Sequence, residues 1–229
     1  MPESRNHGLG RIEHPETPLA RAAYPITDHP SYTLTAATRK MWWEGGAWLD
    51  QGQTGTCIGN AFAHRRADSP IPVAGIDEAF AVKLYVDASG DTTLQQGTSG
   101  LAACRVLATR GTISAYHWVT SPSELRNAVL AIGTICVGTP WYTSMFTPIS
   151  KYSNSYLRVD TSSGLAGGHE YLINGINLAP TYGKPYYRMK NSWGRDWGHG
   201  GTARILCSDL ENLLFSENGD AVLVTEAPA

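Results

Sequence analysis

The stretch Asp50-Gln51-Gly52-Gln53-Thr54-Gly55-Thr56-Cys57-Ile58-Gly59-Asn60-Ala61-Phe62-Ala63-His64-Arg65-Arg66-Ala67 changes character at its middle. A glycine- and threonine-rich loop gives way there to a helix opening at or near Cys57, because Ile58, Ala61 and Phe62 recur at helical spacing. A cysteine at such a junction lies among unpaired amides at the positive end of a helix dipole, and both favour a negative sulfur. The same amides can donate to the oxyanion that forms when sulfur attacks a carbonyl. Cys57 is therefore a candidate nucleophile. His64, two turns further on, reads as an exposed helix residue.

Three more helices are expected before residue 134. One covers Asp77 to Ala88, with Phe80, Leu84 and Tyr85 facing inward. Another runs from Ser99 to Arg110, and Gly111 is placed to end it. A third opens on Ser121-Pro122-Ser123-Glu124, a capping box with proline at the first helical position, and closes at Gly133. Beyond it the pattern turns to strands at Thr134–Gly138, Tyr171–Asn177, Tyr186–Asn191 and Thr202–Leu206. A short helix from Ser208, with Ser208 and Glu211 as a second capping box, and a last strand over Ala221–Val224 complete the expectation. Helices gather in the first half and strands in the second, which is the α+β class. A cleft between the two halves is the natural place for a site.

Composition is that of an ordinary globular protein. Of 229 residues, 42% are hydrophobic and 17% charged, and the formal charge is −2. That balance draws the chain neither to nucleic acid nor to an anionic membrane surface, and no apolar stretch is long enough to span a bilayer. Residues 1–30 read as an extended, proline-punctuated arm without the apolar core of a secretory signal, so the expected setting is cytoplasmic, or a virion. The remaining cysteines, Cys104, Cys136 and Cys207, are scattered, with no metal or redox spacing, and read as structural.

Three segments carry a resemblance. Gln51-Gly52-x-x-Gly55-x-Cys57 resembles the active-site segment of papain-like (C1 family) cysteine peptidases. Gly167-Gly168-His169, leading into the strand Tyr171–Ile176, resembles the family's histidine segment. Lys190-Asn191-Ser192-Trp193-Gly194-x-x-Trp197-Gly198 matches the asparagine segment almost letter for letter. By resemblance Cys57 is the nucleophile and His169 its base. Asn191 orients the imidazole under the cover of Trp193, and Gln51 supplies half of the oxyanion hole. The resemblance covers roughly residues 30 to 225.

It implies a papain-like domain over residues 31–229, with a helical half at about 50–133, a β-rich half (antiparallel sheet or barrel) at about 134–229, and the cleft between them. The implied activity is hydrolysis of peptide or protein amide bonds through a thioester, with no cofactor or metal. An amidase or acyltransferase using the same residues is the rival within enzymes. A structural or interaction protein, such as a virion component, is the rival outside them.

Departures are informative. Cys57 and His169 are 112 residues apart, against roughly 130–150 in papain-type enzymes, as in compact bacterial or bacteriophage members. Thr54 replaces the family's second cysteine. Gly97 and Thr98 stand where a glycine pair usually binds substrate backbone, and Trp193 is a further substrate-binding candidate. Glu170 replaces a small residue after the histidine, and strand alternation turns it away from His169. The arm is too short for the usual inhibitory pro-region, so control is expected elsewhere, or the arm docks onto a protein partner.

Overall fold

The computed structural model describes residues 7–45, 48–151 and 154–228. The first six residues of the arm lie outside it. The loop before Cys57 ends in helix α2 (Cys57–Ala67), after a short helix α1 (Thr17–Ala23) and a strand β1 (Arg39–Met41). Helix α2 is buried on every side, including His64, Arg65 and Arg66. The expectation that His64 is exposed is therefore corrected. Buried polar groups need partners: His64 accepts the Leu49 N–H, Arg65 donates to the Val224 carbonyl, and Arg66 pairs with Glu226 at 2.9 Å. The helix is the axis of the domain, and its polar residues anchor other elements to it.

Helix α3 (Glu78–Ser89) is capped by Asp77 and ends at Gly90 in the left-handed region. It packs on α2 where Gly59 faces the Ala81 carbonyl, which a Cβ at residue 59 would overlap. Helix α4 (Gly100–Thr109) is capped by Ser99, and α5 (Pro122–Ala131) by Ser121 with Pro122 in its first turn. The reciprocal half of the capping box at α5 is displaced by one residue, since Glu124 accepts from Thr120 and not from Ser121. No box forms at Ser208: helix α6 spans Cys207–Phe215, and the Ser208 hydroxyl bonds to the Asp209 carboxylate within the first turn.

The strands are β2 (Ile113–Trp118), β3 (Ile135–Tyr142), β4 (Ile149–Lys151), β5 (Asn154–Tyr156), β6 (Leu165–Asn177), β7 (Tyr186–Lys190), β8 (Thr202–Leu206) and β9 (Asp220–Glu226). They form one sheet in the order β2-β9-β3-β6-β7-β8-β5-β4, with β1 added on β6. The sheet is open, not closed into a barrel, and the β5–β8 pairing is parallel. The expected strand after Gly133 runs on to Tyr142, and the one at Tyr171 begins at Leu165. Strand β3 is nearly continuous in burial because both faces are covered. On one side lie α2 and α4 with Ile58, Phe62, Leu101 and Cys136. On the other lie α5 and α6 with Leu125, Val129, Leu210 and Trp141.

Lys190, at the end of β7, is fully buried against Asp68 at the end of α2, with Nζ–O distances of 3.0 and 2.9 Å. Removing one member of a buried pair strands the other charge. Asp68→Ala is expected to lower unfolding free energy by about 3–5 kcal/mol, to be read from urea denaturation.

The arm is extended only as far as Glu16. From Thr17 on it is built into the domain, because Pro18 and an alanine-rich run favour helix. Ala20 and Ile26 enter the core, and the Trp118 N–H donates to the Tyr24 carbonyl.

Candidate active site

Helix α2 ends its N-terminus under strand β6, so Cys57 meets the segment that carries His169. The main-chain amides of Glu170, Gly10 and Ile58 lie close enough to the Cys57 sulfur to favour its charge, which puts it near the His169–Glu170 peptide. His169 Nε2 lies 2.8 Å from Asn191 Oδ1, which also accepts the Ser192 N–H at 2.9 Å. An oxygen already accepting that N–H requires Nε2 to be the protonated ring nitrogen. Nδ1, the nitrogen with the free lone pair, has no hydrogen-bond partner among the described residues. It is the atom able to take a thiol proton.

Aromatic rings close the site to water. Trp193 stacks on His169 at 4.6 Å, and Trp141 meets the imidazole edge-on at 4.7 Å. Phe146 stacks on the other part of Trp193, and Trp197 packs against its edge. Gly194, at φ +72°, turns the chain immediately after Trp193. The Asn191–His169 bond thus lies in a dry enclosure, where a hydrogen bond orients most strongly.

Gln51 is fixed by a residue that the sequence reading passed over. The Ser192 hydroxyl donates to Gln51 Oε1 at 2.6 Å, and Gln51 N–H donates to the Ser192 carbonyl at 2.9 Å. This aims Gln51 Nε2 toward the cysteine loop, where it donates to the Thr54 carbonyl at 2.8 Å. Nothing in the sequence marks Ser192 for this role beyond its place between Asn191 and Trp193. Ser192→Ala is expected to loosen Gln51 and lower kcat about tenfold with little change in KM, a loss of about 1.4 kcal/mol, measured by steady-state kinetics.

The arm lies in this cleft. Gly8 N–H donates to the Gly52 carbonyl, and the Gly8 carbonyl accepts from Gln51 Nε2 at 3.1 Å. Gly10 and Arg11 N–H donate to the Gly168 carbonyl, while Thr98 donates to Gly10 O and accepts from Ile12 N, each at 2.8 Å. His7 stacks on Trp193 at 4.3 Å, almost parallel. A Cβ at Gly8 or Gly10 would overlap the carbonyl oxygens of Thr54 and Gly55, so only glycine passes so close. Gly97, at φ +82°, faces the Gly10 carbonyl in the same way. The three residues read as substrate-binding, Gly97, Thr98 and Trp193, are thus all covered by the arm.

The loop carrying Gly97 is organised by Asp91. Its carboxylate accepts from Tyr85 and from the main chain at Thr93, Gln95 and Gln96, and those bonds hold it well below the usual carboxylate range. Tyr85 in turn accepts the Gly97 N–H at 2.8 Å.

Burial sets the charge state. It pushes the Cys57 thiol up to about 12, with partial relief from the main-chain N–H bonds. It pulls His169 down to about 4, against the opposing pull of Asn191. With the arm seated, thiol and imidazole are both neutral at pH 7, not the thiolate that the helix N-terminus alone suggests. Burial likewise pushes Cys104 and Cys136 well above the usual thiol range, and all four cysteines are free.

A profile of papain family cysteine proteases matches residues 81–214, more than half of the chain. The chain belongs to the papain family of cysteine proteases. The match includes His169 and Asn191, while Gln51 and Cys57 precede it. Solved structures agree on the fold. Xylellain, a cysteine protease from Xylella fastidiosa, is 16% identical with a TM-score of 0.67, over 100% of this chain and 99% of that one. Digestive procathepsin L2 proteinase from Tenebrio molitor larval midgut is 18% identical with a TM-score of 0.66, over 98% and 80%. The bromelain protease from Ananas comosus, solved with the E64 inhibitor, is 16% identical with a TM-score of 0.63, over 83% and 100%. No curated protein matches the sequence. This papain-family chain is a cysteine peptidase acting on peptide or protein substrates. Among its described residues no helix is long and apolar enough to cross a membrane.

Proposed function

We propose that this peptidase works through Cys57, His169, Asn191 and Gln51, and that residues 7–16 keep it latent. The observation that carries the reading is the pairing of His169 Nε2 with Asn191 Oδ1, which leaves Nδ1 unbonded on the residue next to Glu170, whose main-chain amide acts on the Cys57 sulfur. Nδ1 takes the thiol proton as sulfur adds to the substrate carbonyl carbon. Gln51 Nε2 and the Cys57 N–H donate to the oxyanion. The amide C–N bond breaks as the imidazolium protonates the leaving nitrogen, giving a free amine and a Cys57 thioester. Water, losing a proton to His169, adds to the thioester, and the acid and the free thiol are released. Asn191 holds the ring in the tautomer that both steps need.

Gly97 and Thr98 supply the main-chain rail on which a substrate strand lies, and Trp193 the apolar wall beside the leaving group. The arm occupies that rail, so substrate and arm compete. The arm covers the cleft, and its movable part is shorter than residues 1–30, since α1 is anchored in the core. A protein partner that bound residues 7–16 would act as an activator. The test is hydrolysis of a fluorogenic peptide pool by the full-length chain with its arm unseated by Gly10→Val, with loss of turnover when Cys57 alone is alkylated, as read by peptide mass mapping. Turnover that persists after complete alkylation of Cys57 would remove the reading.

A further inference from the structure

Away from the cleft, the sheet carries a cavity of about 990 Å³ at the far end of the strand that bears His169. Its place follows from strand register. Arg39 of β1 is opposite Asn177 of β6, Asn177 is opposite Tyr186 of β7, and Tyr186 is opposite Leu206 of β8. Arg204 of β8 pairs with Tyr156 of β5. Cross-strand partners share a face, and so do residues two apart along a strand. All six therefore rise from one face of the sheet. The opposite face at β7 and β8 belongs to the core, through Tyr187 and Ile205. The loop at residues 178–185, between β6 and β7, supplies the remaining wall with Tyr182 and Lys184. His169 and Asn177 stand eight residues apart on β6, roughly 26 Å along a strand, so this cavity is separate from the cysteine site.

The wall is basic and aromatic. Arg39, Lys184 and Arg204 line it, and among the described residues no carboxylate does. Arg188 gives the contrast, since it lies opposite Arg204 on the same face and has an acid of its own, Glu44. Arg204 is held by rings instead. Its guanidinium lies over Tyr186 at 4.2 Å and over Tyr156 at 5.6 Å, and Nη1 donates to the Tyr156 hydroxyl at 3.2 Å. Those contacts orient the fork without neutralising it. Asn177 spends its amide oxygen on the Ala179 N–H at 3.1 Å, so its side chain offers the cavity N–H donors only. Three cations around one space repel one another, and an anion among them turns that repulsion into attraction.

Size and rings narrow the choice of anion. Small-molecule sites run to about 300–1,000 Å³, and this cavity lies at the upper end. Tyr156 and Tyr186 are engaged with Arg204, whereas Tyr182 is 87% exposed and stacks on no ring among the described residues. An exposed ring at a cationic cavity suits a ligand that has a flat ring of its own, because aromatic faces stack. A guanidinium fork suits phosphate, whose oxygens it grips in pairs. We propose that this cavity binds a small organic phosphate built on a flat ring, with Arg204, Lys184 and Arg39 around the phosphate and Tyr182 against the ring. The site shares no residue with the cysteine cleft, so it stands whether or not the peptidase reading does.

The test is calorimetry on the full-length chain at neutral pH and low ionic strength, with 1-naphthyl phosphate, 1-naphthol and inorganic phosphate as probes. The first carries ring and phosphate together, and the others carry one each. Naphthyl phosphate is expected to bind at least about tenfold tighter than either of the others. Arg204→Gln should weaken it at least about tenfold, and Lys184→Gln should weaken it to a smaller extent. Tyr182→Ala should remove most of its advantage over inorganic phosphate. Raising the salt concentration should weaken naphthyl phosphate binding, since the attraction is between charges. Equal affinities for naphthyl phosphate and inorganic phosphate overturn the proposal, as does the absence of naphthyl phosphate binding. Binding that neither Arg204→Gln nor Lys184→Gln alters lies elsewhere on the molecule and also overturns it. Lys184 and Tyr182 are exposed loop residues, so their variants decide the matter even if melting curves show that Arg204→Gln fails to fold.

Discussion

Replacing Cys57 by alanine is expected to lower peptide hydrolysis by a factor of about 10⁴ or more, while circular dichroism and the melting temperature stay close to those of the parent. The expectation follows from division of labour. The sulfur stands at the start of α2 near the peptide that follows the imidazole residue, and the other three cysteines lie in α4, β3 and α6, so none of them can form the acyl-enzyme in its stead. His169→Ala should cost a similar factor. The double variant should be scarcely worse than either single one, because nucleophile and base act as one unit. Fluorogenic peptide turnover measures all three, each variant being made in the full-length chain that also carries Gly10→Val, so that the arm is unseated. Additive losses would mean that the two residues work in separate steps, which the pairing of Nε2 with Asn191 and the free Nδ1 do not allow.

Cys57 was legible from a glycine-rich loop breaking into a helix, whereas His169, Asn191 and Gln51 were legible through the resemblance of their segments to those of papain-like peptidases. The structure brings the four together. What escaped the sequence depends on pairs that meet only in three dimensions. Glu170 and Asp220, fifty residues apart, meet beside Arg11 of the arm, and alternation along β6 correctly turns Glu170 from His169 without revealing that the other face is packed as well. His64 looked exposed because a polar residue on an amphipathic helix ordinarily is, whereas α2 has no solvent face. The glycines at 8 and 10 carry no signal of their own within an arm read as extended, and their meaning emerges only against the carbonyls of Thr54 and Gly55.

Those glycines are where the proposed latency can be tested. Gly10→Val is expected to unseat it, since even the first carbon of a side chain at residue 10 would overlap the Gly55 carbonyl, a backbone atom that cannot give way cheaply. The consequence can be read on Cys57 directly. With the arm seated, a thiol titrating at about 12 is ionised to only about one part in 10⁵ at pH 7, and its alkylation rate should climb about tenfold per pH unit through the neutral range. Unseating the arm lets water reach the sulfur and the imidazole, which removes the largest cause of both shifts. The thiol then ionises at lower pH, and the imidazole becomes able to hold the proton it accepts. Iodoacetamide labelling of Cys57 at pH 7 should therefore rise at least about 100-fold in Gly10→Val, with peptide hydrolysis rising in parallel, and the labelling profile should level off at a lower pH than in the parent chain. Cys104 and Cys136 serve as internal references, because their burial lies in the core and not beneath the arm. A parallel rise at those two cysteines would signal general unfolding, whereas an unchanged rate at Cys57 would show that the arm does not control access to the sulfur.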